Sequence, residues 1–187
     1  KQYLILFLAA IFTIGVFYAE RENITVFMQE ETPKAIYKVD TGEKVLALTF
    51  DISWGDQRAV PIIDILQEKG VKKATFFLNS AWSESHPDIV KKIMDAGYEI
   101  GSHGHKHENY SEMTDEEIRK QIRTAHHILS EVTGKPPKLI RLPNGDFDKR
   151  VLKIAGEMGY TVIQWDTDPK DWENPGVDVI VKTIVSR

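Results

Sequence analysis

The stretch Tyr98-Glu-Ile-Gly-Ser-His103-Gly-His-Lys-His107 places three histidines at the end of a short apolar segment. Tyr98–His103 has the length and composition of a buried strand. Neutral imidazole is the commonest protein ligand for transition metals. Because alternate residues of an extended segment share a face, His103, His105 and His107 are equal candidates for the ligands of one metal ion. The alternative is a polar loop whose histidines are merely solvated.

A regular alternation of strand and helix patterns extends from this stretch in both directions. Short runs rich in β-branched and aromatic residues are followed by segments whose apolar positions recur at three- and four-residue steps. This alternation predicts an α/β fold with parallel strands. The predicted strands are Val45–Asp51, Ala74–Asn79, Tyr98–His103, Lys138–Pro143 and Thr161–Asp166, and the predicted helices are Arg58–Glu68, Pro87–Ala96, Asp115–Val132 and Lys149–Met158.

Composition restricts the possible functions. The 187 residues include 24 basic and 28 acidic side chains, which gives a net charge of -4. With no basic run and no basic-aromatic stripe, nucleic acid is not an expected partner. The chain has no cysteine, so a bound metal must use histidine, carboxylate or water. The length beyond the N-terminal segment suits one domain.

Residues 3–19 form an uncharged and mostly apolar segment. As a helix it would cover about 25 Å, close to the hydrocarbon thickness of a bilayer. Lys1 precedes the segment and Glu20-Arg-Glu22 follows it, which favours an N-terminus inside the cell and a domain outside. We therefore predict a transmembrane anchor at residues 3–19, a linker at residues 20–44 and a membrane-anchored, extracytoplasmic domain at residues 45–187. A cleaved signal peptide and a secreted protein are the alternative.

Polar side chains lie at the carboxyl ends of the predicted strands. Asp51, His103, Arg141 and Asp166 belong to four different strand ends, and Asp171-Trp172 follows the last one. The carboxyl ends of parallel strands meet at one edge, where active sites of α/β folds form. We therefore expect these residues to share one site. A strand-end Asp is also a common helix N-cap, so each carboxylate taken alone could be structural.

Asp51 and Arg141 are the residues of this set suited to proton transfer. A carboxylate held near a cation can serve as a general base, and a guanidinium can bind a carboxylate through two hydrogen bonds. A structural ion pair is the alternative. The following Pro143-Asn-Gly145 predicts a turn at which the backbone can approach a ligand.

The tryptophans allow two interpretations. Trp172 offers a flat apolar face of the kind that lines sugar-binding grooves, and the neighbouring Asp171 can orient another side chain. Any single tryptophan is more often part of a core. Packing is an equally good interpretation for the remaining three, which are Trp54, Trp82 and Trp165.

Four motifs in this order resemble those of the polysaccharide deacetylases, the NodB-homology family or carbohydrate esterase family 4. They are Thr49-Phe-Asp51, His103-Gly-His-Lys-His107, Arg141-Leu-Pro-Asn-Gly145 and Asp171-Trp172. The run from Thr49 to Asp56 and the predicted anchor are most similar to the sporulation-associated PdaB-type members. The resemblance implies a distorted (β/α) barrel with outer helices. It also implies hydrolysis of N-acetyl groups on cell-wall amino-sugar polymers such as peptidoglycan or chitin.

The resemblance implies roles for individual residues as well. Asp51 matches the catalytic base, and Arg141 matches the partner of that base. His103 and His107 match two ligands of a divalent metal, usually zinc. Asp171 matches the acid that orients a catalytic histidine. Contacts with the glycan substrate are expected from Trp172, Pro143 and Asn144.

Two departures from the family pattern bear on activity. The family has a second Asp directly after the base as its third metal ligand, and Ile52 stands there in this chain. Water, Asp51 or Asp56 would have to complete the ligand set; otherwise metal binding is weak and activity is reduced or lost. The late Leu-x-x-His motif with the general-acid histidine has no match up to Arg187. We therefore expect the domain to be truncated at its C-terminus.

The sequence thus supports one leading hypothesis and two rivals. The leading hypothesis is a membrane-anchored, metal-dependent deacetylase of cell-wall glycans. The first rival is a glycan-binding homologue that keeps the groove but lacks a complete metal site. The second rival is another metal hydrolase, such as a phosphodiesterase. The chain has too few carboxylates and histidines for a two-metal centre, which disfavours that rival.

Overall fold

The computed structural model describes Thr13 and residues 33–186 of the chain. Apart from Thr13, the predicted anchor at residues 3–19 lies outside the described residues, as does the predicted linker up to residue 32. Both therefore stay predictions. Within the described part of the chain, no helix combines the length and the apolar character that crossing a bilayer requires.

Five parallel strands form the central sheet, and they lie side by side in the order of the sequence. Each overlaps one of the five predicted strands, so the predicted α/β fold with parallel strands is confirmed. Right-handed crossovers between sequential parallel strands place the connecting helices on one face of a sheet. The strands are β1 (Thr49–Ile52), β2 (Thr75–Leu78), β3 (Glu99–Ser102), β4 (Leu139–Ile140) and β5 (Thr161–Val162). Beyond β5, Ile36 of the N-terminal stretch pairs with Ile163 in parallel.

The helices connect successive strands and extend the chain beyond β5. They are α1 (Ala59–Glu68), α2 (Ser80–Ser85), α3 (Pro87–Asp95), α4 (Asp115–Thr133), α5 (Lys149–Glu157) and α6 (Val177–Val185). Four of them, α1, α3, α4 and α5, agree with the predicted helices to within one residue at each end. The sequence predicts no helix at α2 or α6.

Helix α4 contributes to both hydrophobic clusters of the core. Ile118 and Ile122 pack in the cluster beside β4, β5 and α5, whereas Leu129 packs in the cluster beside β2, α1 and α3. The helix begins with a capping box, in which the Thr114 backbone N–H donates to the Glu117 carboxylate at 2.8 Å. This reciprocal cap satisfies backbone groups that the first helical turn leaves without partners.

Gly101 on β3 leaves the space that Phe77 of β2 fills. A Cβ built on Gly101 would lie 2.6 Å from two atoms of the Phe77 ring, much closer than the 3.5–4.0 Å at which carbon atoms pack best. Phe77 in turn lies beneath the Arg141 guanidinium, whose Cζ is 4.2 Å from the ring centroid. The absence of a side chain at Gly101 therefore helps to position the Arg141 guanidinium, through Phe77.

We predict that Gly101→Ala lowers the free energy of unfolding by about 1–3 kcal/mol, the usual cost of overpacking a filled core. Chemical denaturation followed by circular dichroism measures the change. Gly156→Ala is the matched control, because Gly156 lies in α5 and nothing lies within 4 Å of a Cβ built there. The control should raise stability by up to about 1 kcal/mol. Unchanged stability of Gly101→Ala would contradict the packing described here.

Candidate active site

Asp51 and Arg141 form an ion pair between strands that are not neighbours in the sheet. Arg141 Nη1 donates to Asp51 Oδ1 at 2.8 Å and to Thr49 Oγ1 at 2.9 Å. In a flat sheet, β1 and β4 would lie about 14 Å apart, since adjacent strands are separated by about 4.8 Å. The long Arg141 side chain therefore extends along the carboxyl edge of the sheet, over the Phe77 ring of β2, to reach Asp51.

Burial and ring contacts fix the Arg141 side chain. It is only 2% exposed, and its Nη2 donates to the Gln164 carbonyl at 3.0 Å. Its Cζ lies 5.5 Å from the Trp165 ring centroid, in addition to the contact with Phe77, and both distances are within cation–π range. The Asp51 side chain is 34% exposed. Arg141 thus orients a carboxylate that stays open to a ligand.

His103 and His107 lie side by side, with their ring centroids 5.3 Å apart. His103 Nδ1 is 2.8 Å from the carbonyl oxygen of Arg141. Because a carbonyl can only accept, Nδ1 carries the proton and Nε2 keeps a free lone pair. Burial lowers the pKa of His103 and also the pKa of His107, which favours the neutral rings that a metal requires.

His105 makes a different set of contacts, which hold the loop between the other two histidines. Its Nδ1 is 2.9 Å from Ser80 Oγ, and its carbonyl accepts from Asn79 Nδ2 at 2.9 Å. The Ser80 backbone N–H donates to the Gly104 carbonyl at 2.9 Å. Asn79 and Ser80 are buried at the start of α2. The spacing left three equal candidates, and the structure places His103 and His107 as the adjacent ring pair.

The described residues fit a divalent metal only in part. Within residue 13 and residues 33–186, no group of three or more His, Cys, Asp or Glu side chains is placed to hold a metal ion. Ile52 directly follows Asp51 on β1 and packs against the hydrophobic core. Asp51 is bound to Arg141, and Asp56 is exposed in the loop after β1. Completion of the ligand set by Asp51 or Asp56 therefore stays a prediction.

The predicted substrate residues after β4 form a tight turn near the histidines. Pro143–Gly145 is a short 3₁₀ turn in which Asn144 has a φ of 58° and Pro143 is buried. Asn144 Nδ2 donates to Asn109 Oδ1 at 2.9 Å. A Cβ built on Gly104 would lie 3.4 Å from Pro143 Cγ. The turn therefore borders the loop that carries His103 and His107.

The segment with the predicted Asp171 and Trp172 forms a second exposed turn. Asp171–Glu173 is a 3₁₀ turn without buried residues, and Trp172 is 69% exposed. Arg58 Nη2 donates to Asn174 Oδ1 at 3.1 Å, which joins this turn to the segment that follows β1. The predicted roles of Asp171 and Trp172 stay predictions.

Trp54, for which packing is an equally good interpretation of the sequence, lies near the site. The residue is 70% exposed, and its ring centroid lies 5.0 Å from that of His107 in an edge-on contact. Trp82, in contrast, is 5% exposed. Position could have separated the two tryptophans, because Trp54 lies in the loop that follows β1, at the edge of the sheet where the other polar residues lie.

Comparison with known proteins defines the family. Residues 38–163 match the family model described as polysaccharide deacetylase. A peptidoglycan-N-acetylglucosamine deacetylase of Bacillus cereus is 33% identical over 160 residues, which cover 84% of this chain and 74% of that protein. The chain belongs to the polysaccharide deacetylase family, as the four motifs indicated.

Further relatives also cover most of this chain. The protein YlxY of Bacillus subtilis is 31% identical over 87% of this chain and 51% of its own length. A carbohydrate esterase family 4 pseudoenzyme from Bacillus anthracis matches with a TM-score of 0.79 and 30% identity, covering 84% of this chain and 56% of that chain. A mutant pseudoenzyme described as having restored enzymatic activity matches with the same TM-score, 32% identity, and coverage of 84% and 58%. This chain spans about half the length of several relatives that it matches.

We predict that Arg141→Met lowers the free energy of unfolding by about 3 kcal/mol, because the partly buried Asp51 carboxylate and the Gln164 carbonyl lose their donor. Arg141→Lys keeps the positive charge but loses the planar guanidinium group, so it should lower the free energy of unfolding by less than Arg141→Met does. The matched control is Arg123→Met, because the Arg123–Glu116 pair is exposed and should contribute at most about 1 kcal/mol. Equal losses for Arg141→Met and Arg123→Met in urea denaturation would contradict the account.

Proposed function

We propose that this domain binds N-acetylated amino-sugar polymers of the cell wall, of the peptidoglycan or chitin type, and that its native chain is an impaired N-deacetylase. The family and the peptidoglycan deacetylase among its relatives support the substrate class. The main support for impaired activity is Ile52, which stands where the family has a metal-binding carboxylate. The described residues supply no group of three ligands that could replace it. The pseudoenzyme relative, with its restored mutant, supports the same conclusion.

Four residues of this chain suit amide hydrolysis, namely Asp51, Arg141, His103 and His107, whereas the third metal ligand is missing from the part of the chain that the structure describes. Arg141 holds the Asp51 carboxylate on one side. The Asp51 side chain is 34% exposed, which leaves room for a water molecule on its other side. Asp51 would accept a proton from that water during attack on the acetyl carbonyl. His103 and His107 would hold a divalent metal, zinc by resemblance. Such a metal would polarise the carbonyl and lower the pKa of water.

Catalytic zinc sites usually have three protein ligands and one open position. With two histidines, the binding free energy of one protein ligand is missing, so a smaller fraction of molecules holds the metal at a given metal concentration. The proposed impairment therefore arises from metal occupancy and leaves the Asp51–Arg141 pair intact.

An active deacetylase is the second candidate, and the intact ion pair and histidine pair favour it. In this case, water, Asp51 or Asp56 would complete the ligand set. The two candidates share the glycan and the groove, and they differ in the turnover of the native chain.

Several finer features of the whole protein are also proposals. The distorted barrel, the PdaB-type relationship and a role in sporulation rest on the resemblance. A membrane partner and an extracytoplasmic location rest on the apolar residues 3–19, with secretion after signal cleavage as the alternative.

We predict that Ile52→Asp increases acetate release from chitooligosaccharides or soluble peptidoglycan fragments by about 10- to 100-fold in the presence of zinc, the range typical of ligand-shell changes at metal sites. The variant restores the missing carboxylate beside the base. Ile52→Val is the control, since it keeps an apolar side chain and should leave turnover at the native level. A chelator should remove the gain.

The outcomes separate the two candidates. Equal turnover by the native chain and Ile52→Asp would contradict impairment and favour the active deacetylase. If neither binds a glycan nor releases acetate, the deacetylase-family function is wrong for this chain.

We also predict that zinc affinity depends on His103 and His107 and not on His105. In calorimetric titrations with zinc, His103→Ala and His107→Ala should each weaken binding by about tenfold or more. His105→Asn should leave the affinity close to the native value, because an amide can still hydrogen-bond to Ser80. A comparable loss in His105→Asn would contradict the assignment of the ring pair.

A further inference from the structure

Trp54 lies beside the histidine pair of the candidate site. The loop that carries it begins after Ile52, at the end of β1. Its indole contacts the His107 ring edge-on at a centroid distance of 5.0 Å. The residue is nevertheless 70% exposed. Isolated exposed apolar side chains are common on protein surfaces. Trp54 differs from them because its ring contacts His107 of the candidate site.

The backbone next to Trp54 is held in place by a buried side chain. Trp82 Nε1 donates to the Gly55 carbonyl at 2.7 Å, and Trp82 is 5% exposed on α2. Gly55 has a φ of +74°, a conformation that side-chain-bearing residues rarely adopt. An aromatic side chain on a restrained loop loses little conformational entropy when a ligand binds. The backbone beside Trp54 is therefore already fixed before a ligand binds to the indole.

A second exposed indole lies on a neighbouring segment. Trp172 is 69% exposed on the turn that follows β5. The hydrogen bond from Arg58 to Asn174, at 3.1 Å, joins that turn to the segment after Trp54. Two exposed indoles on linked segments suit a ligand that repeats its rings, such as an oligosaccharide.

The chemistry of the loop favours an uncharged ring. Between Trp54 and α1 the chain carries one acid, Asp56, and one base, Arg58, so the segment has no excess charge to attract an anionic polymer. A pyranose ring has an apolar C–H face with hydroxyl groups at its rim. Stacking that face on an indole buries apolar area on both partners and leaves the hydroxyl groups in water.

We propose that Trp54 is a sugar-stacking residue that binds a pyranose ring of the glycan beside the His103–His107 pair. This inference rests on the proposed function, because it takes the ligand to be an N-acetylated amino-sugar chain. It assigns Trp54 to substrate binding, in addition to Trp172, Pro143 and Asn144, and it leaves proton transfer to Asp51.

The test is calorimetric titration of the full chain with tetra-N-acetylchitotetraose. Trp54→Ala should weaken binding about tenfold, the effect of one aromatic stacking contact, and Trp54→Phe should recover most of the loss. Ile65→Ala is the control, because Ile65 is also exposed, at 55%, but lies on α1; it should bind like the native chain. Thermal unfolding of each variant verifies that the fold is retained.

Proton NMR of the sugar provides the second readout. Ring current from a stacked indole should move sugar C–H resonances upfield with the native chain and with Trp54→Phe, and much less with Trp54→Ala. Native-like affinity and shifts in Trp54→Ala would overturn this inference while leaving the proposed function in place. If the native chain does not bind the tetrasaccharide at all, the proposed function fails, and the inference fails with it.

Discussion

The candidate site depends on Arg141, which acts through both its side chain and its main chain. The buried guanidinium joins β4 to Asp51 of β1 and to the Gln164 carbonyl after β5. The carbonyl of the same residue accepts from His103 Nδ1. One residue therefore orients the candidate base and sets the tautomer of a candidate metal ligand. Because β1 and β4 are not neighbours, this ion pair also links two strands that share no backbone hydrogen bonds.

The sequence predicted those parts of the fold that depend on local patterns. Apolar periodicity located all five strands and four helices, because burial on one face imposes a regular spacing on the residues of each element. Helix α2 is short and polar, and it begins where the Asn79 side chain accepts from the Trp82 backbone N–H. Helix α6 is rich in valine and isoleucine, which favour strands. Their helical conformation was therefore not evident from composition or periodicity.

The site was predictable to the extent that strand ends meet at one edge. That rule alone places Asp51, His103 and Arg141 together. The different environments of the three histidines could not be predicted in this way, because Asn79 and Ser80, which follow another strand, hydrogen-bond to His105. The exposure of Trp54 could not be predicted either, since an indole is as suitable for a core as for a sugar-binding surface. Contacts between distant segments determine both features, the pairing of the His103 and His107 rings and the exposure of Trp54.

The third metal ligand is the feature on which the proposed function depends. Anomalous diffraction from crystals of the native chain and of Ile52→Asp, both soaked in zinc, tests this most directly because it shows which atoms bind the ion. In the native chain, we expect His103 and His107 to bind the zinc ion without any protein carboxylate. In Ile52→Asp, we expect the introduced carboxylate to bind the ion as well. A native site with full zinc occupancy and a ligand from Asp51 or Asp56 would contradict the account.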